Sequence, residues 1–260
     1  MALRTATRTG VPCPPIRHRL GSGEIVDSMA IGYAVQDLLT RARLDEGARR
    51  VGRKIGLTSS AVQAQLGVDQ PDFGVLFDDM HVGGTATVPI DSLLQPKIEA
   101  EIAFILGADL DIPDPTPAQA RAAVASVVAA FEIVDSRINE WDITLVDTIA
   151  DNASSGLFVL GTDPRPLGED EDLRDVSMEM RDQDGTVVSH GTGAACLGDP
   201  INALVWLGRT AHRFGVPLRS GEIVLSGAVG PMVAVTPGAT YTATFTRLGE
   251  VRAEFTQTGS

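Results

Sequence analysis

Glycine and proline interrupt this chain so often, 27 and 15 times in 260 residues, that long regular elements have little room. Each breaks a helix interior and punctuates strands, so what lies between them must be short. In the last third, apolar and β-branched runs near Ile223, Met232 to Val235, Tyr241 to Phe245 and Val251 to Phe255 are each set off by Gly or Pro. With only a few helical stretches among them, the pattern predicts an α+β fold, mixed and largely β, in place of alternating βαβ units.

The helical stretches are few and readable. From Ser28 the apolar positions Ile31, Val35, Leu38, Leu39 and Ala42 recur at helical spacing, with Asp27 or Ser28 able to cap, and the helix should end near Gly47. A short helix is expected over Ser60 to Leu66. Thr116 followed by Pro117 and Gln119 forms a capping-box start, and the Ala/Val-rich run from there to Ala130 reads as a buried helix. Another helix spans Pro200 to Phe214. Strands are expected from Val51, over Ile98 to Leu106 and over Glu132 to Ile138, while Asp69 to Gly74 reads as a loop. Neither repeat nor linker divides the chain, so residues 25–260 read as one catalytic domain behind an irregular N-terminal arm, 1–24, that holds Pro12, Pro14 and Pro15.

Composition excludes several function classes. A formal charge of -13 repels polyanions and argues against nucleic-acid partners. The longest apolar runs fall short of the roughly 20 residues of a membrane span. Arg4 and Arg8 lead into no apolar signal region, so the expected location is cytoplasmic. Cys13 and Cys196 give no basis for a disulfide framework or structural zinc. The four histidines show no ligand spacing, and Ser189 to Ala194, though Gly-rich, matches no nucleotide fingerprint.

The sharpest candidate site is Glu99-Ala100-Glu101. On a strand both carboxylates share one face and lie about 7 Å apart, where they repel unless water or a cation intervenes. A hard cation such as Mg²⁺ or Mn²⁺ suits an all-oxygen site. Glu132 interrupts an apolar stretch and could complete it, because an isolated buried carboxylate is costly. The same residues also fit the wet face of a half-exposed strand, with Glu132 as a cap. Lys54, next to Arg53, could hold a carboxylate or relay a proton, or face solvent. Asp72 could activate water or stabilise a turn, and Asp151 to Gly156 could offer hydroxyl and amide groups to a ligand or simply lead into a strand.

Taken together, Gly52 to Ser59, Gln65 to Phe77, Gln95 to Glu101, Asp147 to Ser154 and Leu225 to Met232 resemble the 2-keto-4-pentenoate hydratases of the fumarylacetoacetate hydrolase superfamily. The resemblance runs from about Ile25 to about Phe255. It implies a rolled mixed sheet, a homo-oligomer, and Mg²⁺ or Mn²⁺ held by Glu99, Glu101 and Glu132. It also implies Lys54 and Asp72 as catalytic groups, with Asn152 and Ser154 binding the substrate. The implied reaction adds water to 2-hydroxypenta-2,4-dienoate, through its 2-oxo tautomer, giving 4-hydroxy-2-oxopentanoate in meta-cleavage catabolism of aromatic or steroid rings. Close alternatives are 4-oxalocrotonate decarboxylase and the hydratase of the seven-carbon dioate. A non-catalytic metal-binding partner is the alternative of another class, since related decarboxylases and hydratases pair, and a complex with a pathway enzyme is expected on the same ground.

Overall fold

In the computed structural model, residues 2–19, 25–59, 63, 68, 70–83 and 87–259 are described. The strands in chain order are β1 (Arg50–Gly56), β2 (Asp72–Phe77), β3 (His81–Val82), β4 (Thr87–Val88), β5 (Lys97–Leu106), β6 (Val124–Val134) and β7 (Ser155–Leu160). They continue as β8 (Ser177–Asp182), β9 (Val187–Thr192), β10 (Ile223–Ala228), β11 (Val233–Ala234), β12 (Thr240–Phe245) and β13 (Gly249–Phe255). The helices are α1 (Ala2–Thr9), α2 (Ile25–Asp45), α3 (Pro117–Ala122), α4 (Leu145–Ala150) and α5 (Pro200–Arg213).

Two mixed sheets form the frame. The larger runs β2-β1-β10-β5-β6-β7-β3, with β11 added to β5, and the smaller runs β4-β13-β12-β8-β9. Strand pairs β1·β10, β3·β7 and β4·β13 are parallel, whereas β5 and β6 pair antiparallel through ten residues of β5, from Lys97 to Leu106. Side-chain alternation divides the large sheet cleanly. Ile98, Ala100, Ile102 and Phe104 turn into the main core with residues of β12 and β13. On the opposite face Ala103, Val128, Ala130, Phe158, Leu225 and Leu76 form a smaller apolar cluster, and Glu99, Glu101 and Glu132 continue that face beyond it.

Five expectations need correcting, one of them the strand expected over Glu132 to Ile138, which ends at Val134 as the tail of a longer strand. The helix predicted to reach Ala130 stops at Ala122, and Val124–Val134 is a strand buried along most of its length. β5 and β7 pair with its two edges, while Val127, Ala129, Phe131 and Ile133 bury in the main core and Val128 and Ala130 in the smaller cluster, so both faces are covered and the alternation that marks a half-exposed strand is missing. The predicted loop at Asp69 to Gly74 gives way to strand at Asp72. The helix predicted from Ser28 begins at Ile25, and its apolar stripe is incomplete because Leu38 is 65% exposed. Finally, the arm expected to be irregular carries α1, whose Leu3 and Ala6 bury against Ile16, Ile138 and Ala150. Cys13 then bridges to Ile138 through backbone bonds, so the arm is tied to the domain. The short helix expected over 60–66 lies almost entirely outside the described residues, and the Thr116 capping box is present as read. Among the described residues no helix is long and apolar enough to cross a membrane.

Candidate active site

β5 and β6 build the centre. Their register sets Glu99 directly opposite Glu132, and Glu101 follows Glu99 by two residues on the same face. Each of the three offers a carboxylate oxygen within 4.8 Å of the others, and all three are buried. Gly227 donates its backbone N–H to Glu101 Oε2 at 2.8 Å. It does so from a bulge between Leu225 and Ala228 at φ +108°, and a Cβ there would stand 2.3 Å from Thr58 Oγ1, so only glycine fits. Glu132 Oε1 lies 3.0 Å from Lys54 Nζ, a charge contact without hydrogen-bond alignment, while Glu101 Oε1 and Glu132 Oε2 have no hydrogen-bond partner among the described residues. Burial, reinforced by the neighbouring carboxylates, pushes Glu99 up to about 7 and Glu101 well above the usual carboxylate range. Burial raises Glu132 as well, against the pull of Lys54. Three oxygen-only groups, with unpartnered buried atoms on Glu101 and Glu132, are a donor set that fits a hard divalent cation.

Lys54 enters from β1. Burial disfavours its ammonium, but Glu132, Asp72, Glu99 and Glu101 together outweigh burial and raise its pKa. Its Nζ donates to the Ala153 carbonyl at 2.8 Å. Asp72 arrives on β2, where Gly56 is its cross-strand partner. A Cβ on Gly56 would lie 2.2 Å from Asp72 Oδ1 and 3.6 Å from Lys54 Nζ, so the bare glycine leaves the space in which acid and base approach. Burial pushes Asp72 up to about 6 against the field of Lys54, and Thr148 Oγ1 donates to its Oδ2 at 3.3 Å.

A strained turn closes the far side. Asn152, Ala153 and Ser154 all adopt left-handed backbone, with φ of 56°, 51° and 53°. For residues with a Cβ this costs about 1–2 kcal/mol each, and such strain concentrates where geometry serves a function. The turn aims the Ala153 carbonyl at Lys54 and buries Ser154 Oγ with no hydrogen-bond partner among the described residues. Asn152 is placed differently. Its Oδ1 accepts from Val75 N at 2.7 Å and its Nδ2 donates to Val75 O at 2.9 Å, so its amide anchors the turn to β2.

The structure thus brings Glu99, Glu101, Glu132, Lys54 and Asp72 together, with Ser154 next to Ala153, whose carbonyl meets Lys54, and Asn152 turned to β2. Of the pair Arg53 and Lys54, both are buried: Arg53 points to the other face, where its guanidinium donates to Glu222 Oε2 at 2.6 Å and to the Val216 carbonyl at 2.9 Å. Gly56, Gly227 and Thr148 were not singled out by sequence, and only the glycines carried a signal, by sitting inside strand patterns.

The sequence profile of the fumarylacetoacetate hydrolase C-terminal family matches residues 44–256. The chain belongs to this family. Within it, the 2-keto-4-pentenoate hydratase of Paraburkholderia xenovorans (strain LB400) is 52% identical over 255 residues, 98% of this chain and 92% of the relative. 2-Keto-4-pentenoate hydratase 1 of Dechloromonas aromatica (strain RCB) is 54% identical over 253 residues, 97% and 94% of the two chains. Among solved structures, the 4-oxalocrotonate decarboxylase from Pseudomonas putida G7, complexed with magnesium and adipate, superimposes with a TM-score of 0.91 at 32% identity, covering 97% of this chain and 94% of that one. The family's rolled, sheet-dominated fold is the one observed here.

Proposed function

We propose that the chain is a divalent-metal-dependent hydratase of 2-hydroxypenta-2,4-dienoate, producing 4-hydroxy-2-oxopentanoate in meta-cleavage catabolism. The observation that carries this reading is the convergence of Lys54 and Asp72 over Gly56 beside three buried carboxylates. We take the enzyme to act in the cytoplasm as a homo-oligomer, in keeping with the resemblance.

Glu99, Glu101 and Glu132 would hold Mg²⁺ or Mn²⁺, and a cation there would supply Lewis acidity toward the 2-oxo acid. The chain's own residues handle protons. Lys54, its ammonium favoured by the surrounding carboxylates, carries the proton from the 2-hydroxyl to C5, which converts the dienol to the conjugated 3-enone. Asp72, raised toward neutrality by burial, accepts a proton from the water whose oxygen bonds to C4. The proton then passes to C3, restoring the 2-oxo group, so one water is consumed per turnover. Ser154 would hydrogen-bond the substrate, a reading supported by its buried hydroxyl, which has no hydrogen-bond partner among the described residues.

Hydration is favoured over decarboxylation by the greater likeness to the hydratases, 52% against 32% for the decarboxylase. Purified protein with Mg²⁺ should bleach the C5 dienoate and yield 4-hydroxy-2-oxopentanoate by mass spectrometry. Full activity after exhaustive chelation would remove the cation from this mechanism, and no turnover with either metal would remove the hydratase reading.

A further inference from the structure

β5 carries one more charged residue on the face of the three glutamates. Stepping back by twos from Glu101 through Glu99 reaches Lys97, which alternation places on the same side of the sheet. The charges of Lys97 and Glu99 act on each other, yet no carboxylate among the described residues forms an ion pair with Lys97. Its Nζ sits 4.2 Å from the centroid of the Trp141 indole. That contact is built, since Glu140 and Trp141 both take left-handed backbone, φ 55° and 56°, which residues with a Cβ seldom adopt.

Gln95 lashes the turn in place. Its Oε1 accepts from Glu140 N at 2.8 Å, its Nε2 donates to the Ile138 carbonyl at 2.8 Å, and its carbonyl accepts from the indole Nε1 at 3.2 Å. A strained turn, held by three Gln95 hydrogen bonds of which one reaches the indole, therefore seats the partly exposed Lys97 beside an acidic centre. In a chain of net charge -13, an anionic ligand approaches against the overall field unless a local cation offsets it. Lys54 is engaged by Glu132 and the Ala153 carbonyl, which leaves Lys97 to meet the incoming anion.

We propose that Lys97, seated on the Trp141 indole, is the positioning cation that draws the carboxylate of the substrate into the site. This rests on the substrate being an anionic 2-oxo or 2-hydroxy dienoic acid. Lys97→Met should raise KM about tenfold with kcat changed much less, and should flatten the ionic-strength dependence of kcat/KM. Lys97→Arg should restore both, and Trp141→Leu, which keeps the charge but frees it, should raise KM about threefold. Calorimetric titration of the Mg²⁺-loaded protein with oxalate reads the same interaction without turnover, and affinity should fall about tenfold in Lys97→Met. Wild type that binds oxalate in a Lys97-dependent way but hydrates no dienoate would overturn the hydratase reading and leave this proposal standing. Unchanged KM, salt dependence and oxalate affinity in Lys97→Met, in an enzyme that hydrates normally, would overturn this proposal alone.

Discussion

Glu99 and Glu132 face each other directly across the antiparallel pair of β5 and β6, both buried, with no cationic side chain in salt-bridge contact with Glu99 among the described residues. Directly opposed side chains in such a pair have Cβ atoms about 4.5–5.5 Å apart, where like charges destabilise the sheet. A cation held between the two would relieve that repulsion.

Divalent cation should therefore stabilise the fold. At Mg²⁺ or Mn²⁺ about 100 times its Kd, the gain is about 2.7 kcal/mol, seen as a higher Tm. Glu99→Gln, which removes one like charge without stripping Lys54 of its partner, should melt no lower than wild type without metal and should lose most of the metal-induced rise. An undiminished rise in the variant would show that the ion binds elsewhere.

Lys54→Met keeps the side-chain length and removes the charge and the proton. kcat should fall about 10²-fold or more, the scale of losing a positioned acid-base group. Circular dichroism should show the fold retained. Near-normal turnover would confine Lys54 to balancing Glu132.

Gly56→Ala tests the space shared by acid and base. The added methyl would stand 2.2 Å from Asp72 Oδ1, so the carboxylate must move. A displacement of about 1 Å in a catalytic group can cost on the order of 10²-fold in rate. Metal affinity, measured by titration calorimetry, should be nearly unchanged because Glu99, Glu101 and Glu132 are on other strands. A wild-type rate in Gly56→Ala would mean that the position of Asp72 does not matter to the chemistry.

How much of this was legible beforehand depended on local signals. Glu99 and Glu101 announced themselves because Ile98, Ala100 and Ile102 alternate with them, and Thr116, Pro117 and Gln119 marked a helix start by their chemistry. β6 was misread for a physical reason: buried on both faces, it has no alternation, and its alanines favour helix as readily as strand. The pairing of Glu99 with Glu132 was beyond reach, since register is a property of two strands. The left-handed turn at Asn152–Ser154 had no glycine to betray it, so the anchoring role of the Asn152 amide could not be foreseen. The Lys97–Trp141 contact depends on Gln95 folding back over a turn more than forty residues away in sequence.

The arm offers a pH-dependent test of stability. Asp147 accepts hydrogen bonds from Ile16 N, Arg17 N, Arg17 Nη1, Thr144 N and Thr144 Oγ1, all at 2.8–3.0 Å. Burial alone would raise its pKa, but these donors, with Arg17 foremost, hold it below the usual carboxylate range. A depressed folded pKa contributes stability that is fully present above the unfolded value, about 3.9, and is lost as pH falls through the folded one. Asp147→Asn should thus cost about 2 kcal/mol at neutral pH, the scale of hydrogen bonds to a charged group. Urea melts should show that deficit shrinking below about pH 4. A deficit constant from neutral to strongly acid pH would mean that shape rather than charge at Asp147 ties down the arm.

The choice between hydratase and decarboxylase turns on Asp72. Addition of water at C4 needs a base near that carbon, whereas loss of carbon dioxide needs an electron sink at the 2-oxo end of the substrate. Asp72 is a buried carboxylate, raised to about 6 and supported by Thr148, which suits it to take a proton from water near neutral pH. Asp72→Asn keeps the shape and removes that capacity. Hydration of the C5 dienoate should fall about 10²-fold or more, while ketonisation of the dienol, which draws on Lys54, should fall far less. The two steps separate by ultraviolet absorbance for loss of the dienol and by chromatography for the 4-hydroxy product. Carbon dioxide released from the C6 unsaturated 2-oxo dioate at a rate matching or exceeding hydration of the C5 dienoate, and unaffected by Asp72→Asn, would assign the chain to decarboxylation and leave Asp72 as a structural partner of Lys54.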